Sequence, residues 1–380
     1  MARIAFLLPN LLPGGAERVG LTLAQSFIER GHEVDLLVAE KRGALVDQVP
    51  PGVRLIDLKA KRIRDVPIRL IRYLRGRRPD ALQVSLWPLT VAGIIAARLS
   101  RVPLRVVVSD HISLSRQFGS EKLRLALLKS TTRFSYPWAD VRICVSRGSA
   151  LDLARLSGMP EQAITTVYNP VPEPARDTLP SDDPWGAAKA RFLAVGTLKD
   201  QKNHALLIEA FARLPATLGA KLIIVGDGSL KATLQRRIDD LGLRERIELA
   251  GHVADPSPYY ASADVFVLSS DYEGFALVIV EALHQGLGIV STDCPDGPAE
   301  ILNGGEFGRL VPVGDAGALA DAMVEEFEHR RDPERQRRRA ADFSPDRAAD
   351  AYLAALLRGR SNGREAVSHG YADRSGGARE

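Results

Sequence analysis

Residues 265–281 read Val-Phe-Val-Leu-Ser-Ser-Asp-Tyr-Glu-Gly-Phe-Ala-Leu-Val-Ile-Val-Glu. The first four are apolar and bounded by polar residues, the pattern of a short buried strand. Gly274 punctuates the turn, and from about Phe275 or Ala276 the sequence suits a helix. That placement leaves Glu273 on the loop and puts Glu281 inside the helix, with seven residues between the two carboxylates. A buried strand that feeds a helix through a polar turn is half of a βαβ unit, so the expected class is α/β with parallel sheets.

The same alternation repeats on both sides of this unit. Upstream, apolar runs at residues 4–8, 34–38, 82–86, 105–109 and 141–145 predict strands, with helices at 17–30, 89–99, 122–130 and 149–156. Residues 168–185 hold five prolines and no period of either kind, which predicts a linker. Beyond it strands are expected at 192–195, 222–225, 247–249, 265–268 and 289–291, an Arg-rich helix at 330–339 and an Ala/Leu-rich helix over Pro345–Leu357. With 380 residues, two cores fit better than one. The predicted organisation is a Rossmann-like domain over 1–170, a linker over 171–188, a second Rossmann-like domain over 189–344, a helix over 345–358 that returns to the first domain, and an unstructured tail over 359–380.

Composition narrows the class. Cys144 and Cys294 are the only cysteines and form no Cys-x-x-Cys or Cys/His cluster, so a disulfide framework or zinc site is not expected. The apolar run at 4–8 stops at Pro9 and Asn10, too early for a secretory segment, and no apolar run approaches 18 residues. A cytoplasmic protein is expected, with any membrane contact peripheral and at the inner face of the cell membrane. The net charge of +4 is uneven: residues 59–80 carry nine Lys/Arg against two Asp, a surplus of +7, leaving −3 for the rest. Arg69, Arg72 and Arg75 recur beside Ile68, Ile71 and Leu74, so residues 59–78 are expected to meet an anionic membrane. The plainer alternative is that the apolar row packs on the first sheet.

Two stretches can carry chemistry. Pro13-Gly14-Gly15-Ala16-Glu17-Arg18 follows the first strand and opens a helix, where paired glycines permit close backbone approach and free amides attract a phosphate. A tight strand-to-helix turn would read the same way. There is no Gly-x-Gly-x-x-Gly and no Gly-x-x-x-x-Gly-Lys-Ser/Thr, which argues against simple dinucleotide and P-loop sites. In the second stretch, Glu273 on its loop suits sugar hydroxyls and the helix amides suit a phosphate. Glu281 suits a ribose diol; with apolar flanks it needs a partner.

These residues resemble the retaining glycosyltransferases of family 4, which have the GT-B fold of two facing Rossmann-like domains. The resemblance rests on Glu273-x7-Glu281, Gly14-Gly15, Gly196 with Gln201-Lys202-Asn203, Gly226-Asp227-Gly228, Gly251-His252-Val253 and Asn169-Pro170, and spans about residues 3–355. It implies that Glu281 holds the ribose of a nucleotide sugar, Glu273 the donor sugar and Val253 the base. The diphosphate would meet Lys202 and the backbone of Gly274, Phe275, Ala276, Leu277 and Val278, with Gly14 and Gly15 opposite. His111 matches the histidine beside the reacting sugar. Thr197 stands where many members have Arg, with Lys199 nearby, and leaves the strength of one donor contact open.

The resemblance further implies His111, Glu273 and Lys202 as catalytic groups, no metal and no cofactor beyond the donor. The expected donor is a UDP-hexose or UDP-N-acetylhexosamine, and the expected acceptor a glycan or lipid-linked glycan of a bacterial surface. Two other readings stay open: a hydrolysing UDP-sugar 2-epimerase of the same architecture, and a basic nucleic-acid-binding protein. The second is poorly supported, because the basic stretch has little aromatic interleaving beyond Tyr73.

Overall fold

A computed structural model describes residues 1–119, 121–174 and 183–357. The predicted tail over 359–380, and the part of the predicted linker at 175–182, lie outside the described residues. The first sheet contains β1 (Arg3–Leu8), β2 (Glu33–Val38), β3 (Arg54–Asp57), β4 (Ala81–Ser85), β5 (Arg105–Asp110), β6 (Val141–Cys144) and β7 (Thr165–Thr166). The second contains β8 (Ala190–Val195), β9 (Ala220–Val225), β10 (Ile247–Gly251), β11 (Val265–Leu268), β12 (Gly288–Thr292) and β13 (Arg309–Val311). Their orders are β3-β2-β1-β4-β5-β6-β7 and β10-β9-β8-β11-β12-β13, and all pairings between these strands are parallel.

Parallel strands are covered by helices on both faces, so their central members read as near-continuous apolar runs. β1 and β11 do, and both are buried almost throughout. Each sheet therefore separates two apolar layers. The final helix, Pro345–Leu357, belongs to the first domain's packing: Ala348, Ala349, Tyr352 and Leu356 join the layer containing Ile4, Phe6 and Phe27. Arg30 ties it down through Asp346 at 2.7 Å.

In each domain the chain builds outward from a central strand, then crosses back to build the other way. The reversal falls between β1 and β4 in the first sheet and between β8 and β11 in the second. The crevice beyond the carboxyl ends at such a reversal is where open α/β sheets bind ligands. The segments leaving these four strands include Gly14-Gly15, Leu86-Trp87, Gly196–Asn203 and Ser269–Gly274.

Several local details differ from the sequence reading. β3, β7 and β13 went unpredicted; they have four, two and three residues, β7 exposed throughout and the other two mixed in burial. The Arg-rich helix begins at Pro333 rather than near 330, because Pro favours the first helical turn and Asp332 accepts from the Glu334 amide at 3.0 Å. The apolar row Ile68–Ile71–Leu74 is not a free stripe: Leu74 is fully buried and Ile71 packs against the core, leaving Ile68 exposed. Arg69 and Arg75 donate to the backbone carbonyls of Leu58, Leu99 and Ser100. The plainer alternative for the apolar row therefore describes two of its three members.

Candidate nucleotide-sugar site

The turn after β8 and the turn after β11 are bound to each other. Gln201 Nε2 donates to the Tyr272 carbonyl at 2.8 Å, the Asp271 amide donates to the Gln201 carbonyl at 2.9 Å, and Asn203 Nδ2 donates to Asp271 Oδ1 at 2.8 Å. Asn203 adopts a left-handed conformation, with φ of 44°, at the cap of the helix His204–Ala212, where its side chain accepts from the Leu206 amide. A short polar side chain that can cap locally makes Asn one of the few residues suited to that position.

This scaffold brings Lys202 Nζ within 2.6 Å of Glu273 Oε1, both side chains largely shielded from water. Ser270 Oγ donates to the same carboxylate oxygen at 2.7 Å. Gly196 lies under the aliphatic stem of Lys202: a Cβ there would stand 3.4 Å from Lys202 Cε. Lys199 shares the neighbourhood, since burial and then the field of Lys202 push its pKa down while Glu273 opposes them. Thr197 is exposed.

The helix Leu277–Gln285 starts two residues beyond Phe275. Phe275 and Ala276 have buried side chains, and Phe275 stacks at 5.7 Å on Tyr168 and meets Phe343 edge-on at 5.4 Å. Neither side chain is therefore available to a ligand. Glu281 does have the partner its apolar flanks demand: the Tyr260 hydroxyl donates to Oε2 at 2.8 Å. Burial raises the Glu281 pKa, while that hydrogen bond, Arg18 and Lys202 act against it. Val253 is half-buried in the same apolar layer.

The two domains meet over this helix. A Cβ on Gly15 would touch Leu277 Cδ1 at 3.4 Å, so the glycine turn of the first domain faces the start of the Glu281 helix. Gly14 packs over the Glu17 carboxylate, whose pKa burial raises. Gly274 lies so close to the His111 carbonyl and the Ile112 backbone that a side chain would overlap both. Sequence reading missed a further set of interdomain contacts. Glu300 accepts from the amides of Arg147 and Gly148 at 2.9 and 3.0 Å, capping the helix Arg147–Ser157 across the domain boundary, and Asp296 accepts from Ser113 Oγ. The Asp296-Gly297-Pro298 turn was the available signal, but its partners lie in the other half of the chain.

His111 follows β5, its Nε2 3.0 Å from Ser109 Oγ. Burial pushes its pKa down to about 4, with Asn169 pulling the other way, so the imidazole is neutral at pH 7. Its neighbour Asp110 accepts from Tyr136 at 2.8 Å and is pushed up to about 7, chiefly by burial. A cavity of about 180 Å³ runs past Trp87, Asp110, His111 and Gln117. A larger one of about 470 Å³ lies between the first helix and the interdomain crossing, touching Arg18, Thr22, Val171, Leu277 and Glu281. Lys202 and Glu273 line neither cavity.

Two facing α/β domains, with paired carboxylates and a lysine at the second sheet's reversal, define a glycosyltransferase of the GT-B type. The sequence model described as "Glycosyltransferase Family 4" matches residues 13–173, and that described as "Glycosyl transferases group 1" matches residues 189–329. The chain belongs to this glycosyltransferase family. It is 30% identical over 291 residues to the amylovoran biosynthesis glycosyltransferase AmsD of Erwinia amylovora, covering 76% of this chain and 80% of that one. It is 28% identical over 334 residues, 85% and 89% of the two chains, to the N-acetylgalactosamine-N,N'-diacetylbacillosaminyl-diphospho-undecaprenol 4-alpha-N-acetylgalactosaminyltransferase of Campylobacter jejuni. Among solved structures, Anabaena HepE in complex with UDP matches with a TM-score of 0.77 at 22% identity, covering 93% of this chain and 99% of that chain.

Proposed function

We propose that this glycosyltransferase moves a sugar from a UDP-hexose or UDP-N-acetylhexosamine to a hydroxyl of a lipid-linked glycan, with retention of anomeric configuration and without a metal. The observation that carries the reading is the Lys202–Glu273 pair at 2.6 Å, set beside the helix that bears Glu281 and opposite Gly15. Glu281, held in place by Tyr260, takes the ribose, Val253 the base and Glu273 the donor sugar. Lys202, with Lys199 close by, and the backbone amides of Gly274, Phe275, Ala276 and Val278 stabilise charge growing on the departing diphosphate; preorganised donors at such a position are a large part of transition-state stabilisation. Lys199 takes over part of the role left open by Thr197.

His111, neutral and half-buried, positions the reacting sugar from the other domain, and the acceptor enters the cavity lined by Trp87 and Asp110. Holding donor and acceptor on one face supplies the orientation that the reaction requires. A UDP donor is supported by the fold shared with the UDP-bound HepE structure, and a lipid-linked acceptor by the diphospho-undecaprenol substrate in the Campylobacter relative's name. The basic run at 59–78 supplies electrostatic attraction to the anionic membrane in which such an acceptor resides.

The test is a panel of nucleotide sugars presented with bacterial lipid extract, with EDTA present and the product anomer read by NMR. A retained anomeric configuration from a UDP-sugar is the expected result. Strict manganese dependence, an inverted product, or isomerisation of the donor without transfer would each overturn the corresponding part.

A further inference from the structure

The helix Lys122–Ser135 has two apolar stripes, and the first domain uses only one of them. Leu128, Thr132 and Ser135 are buried against the core, with Leu125 partly so. Leu123, Leu127 and Phe134 are 85%, 53% and 67% exposed. At about 100° per residue these three fall within about 40° of one another, on the side of the helix opposite the buried stripe. Trp138, 49% exposed, lies just beyond the helix end in the turn Tyr136–Trp138. An isolated exposed leucine needs no explanation, but several large exposed apolar side chains on one helix face mark a contact surface.

The charges around the row identify the contact. Lys122, Lys129 and Arg133 are exposed and project along one flank, and Arg124 lies on the other; Glu121, paired with Arg124 at 2.8 Å, is the acid nearest the helix start. The Arg98 guanidinium lies 5.2 Å from the centre of the Trp138 ring, which adds a cation at the far end. An apolar stripe bordered by basic residues is the chemistry of a helix lying in the interface of an anionic bilayer.

We propose that Leu123, Leu127, Phe134 and Trp138 insert into an anionic membrane surface and that this helix, rather than residues 59–78 alone, is the docking element. The proposal rests on the lipid-linked acceptor proposed above. Position supports it: Thr131 of the same helix accepts from Trp87 Nε1 at 3.0 Å, and Trp87 lines the His111 cavity. The membrane-facing helix is thus one residue removed from the cavity assigned to the acceptor. The arginines at 69 and 75, already engaged with backbone carbonyls, serve as long-range attraction and not as the anchor.

The test uses the full chain, sedimented with vesicles of phosphatidylglycerol and phosphatidylcholine or of phosphatidylcholine alone, with UDP affinity measured on the same preparations. Wild type should sediment with the anionic vesicles, and its tryptophan emission should shift to the blue, a shift lost in Trp138→Phe. The triple variant Leu123→Glu, Leu127→Glu, Phe134→Glu should lose at least about ten-fold in vesicle affinity with UDP affinity unchanged, whereas Leu123→Ala alone should lose less. Wild type that binds UDP but not anionic vesicles overturns the docking proposal, as does a triple variant that sediments normally or a row shown to be covered by a second copy of the chain. Loss of UDP binding in the wild type would instead remove the donor reading.

Discussion

Lys202 and Glu273, seventy-one positions apart in sequence, meet at 2.6 Å with Ser270 donating to the same carboxylate oxygen. The pair has two jobs that substitution can separate. As an ion pair it links the turns after β8 and β11; in the function proposed above it is also the charge array that faces the donor.

Breaking a shielded pair leaves one charge uncompensated and is more costly than removing both. Lys202→Met should therefore lower the melting temperature, and Lys202→Met with Glu273→Gln should recover most of that loss. Donor binding should not recover, because a lost charge-assisted hydrogen bond costs about 1.5–3 kcal/mol regardless. Calorimetric unfolding and donor titration on the two variants check both statements.

Gly274 presses on the His111 carbonyl across the domain boundary. Gly274→Ala should hold the domains apart, since the obstruction is backbone and not a side-chain tip. We expect an increased radius of gyration by small-angle scattering and a turnover lower by about 100-fold, the scale of a small misplacement of reacting groups. Glu300→Gln, which weakens the cap on Arg147 and Gly148, should show a milder version of both effects.

His111→Ala should reduce turnover at least about ten-fold while donor affinity stays within about two-fold, since the contact proposed for it is with the reacting region and not the nucleotide. Wild-type turnover in this variant would make the residue structural.

His204 is buried beside Lys202, and burial first, then that charge, pushes its pKa down to about 4. The unfolded chain, with an ordinary histidine pKa near 6.5, binds more protons between those values. Stability from this group therefore falls as pH drops from about 6.5 to about 4, by up to about 3 kcal/mol. Asp110, raised to about 7, works in the opposite sense over much of the same range, so the prediction is differential: His204→Gln should flatten the acid limb of the denaturation curve relative to wild type.

The strand-loop-helix unit around Glu273 was legible because a buried parallel strand, a glycine turn and an amphipathic helix each leave a local pattern. The same holds for the glycine turn after β1. β7 and β13 were not legible, since two or three residues carry no period, and they are set by pairing with β6 and β12. Glu281 was legible as an acid in need of a partner, but Tyr260 lies on another helix and nothing local names it. The Asp296 and Glu300 contacts were hidden for the same reason. Charge counting found the basic run at 59–78, yet its arginines are partly consumed by nearby carbonyls, and the exposed row on Lys122–Ser135 emerged only once burial separated that helix's two faces.

The most direct test of the central claim, that the second sheet's reversal is a nucleotide-sugar site, is titration of UDP into wild type and Glu281→Ala by calorimetry. Wild type should bind, and the variant should lose about 1.5–3 kcal/mol, roughly ten- to a hundred-fold in affinity, while still folded at the temperature of the titration. Equal UDP affinity in the two proteins, or no binding by the wild type, would contradict the assignment.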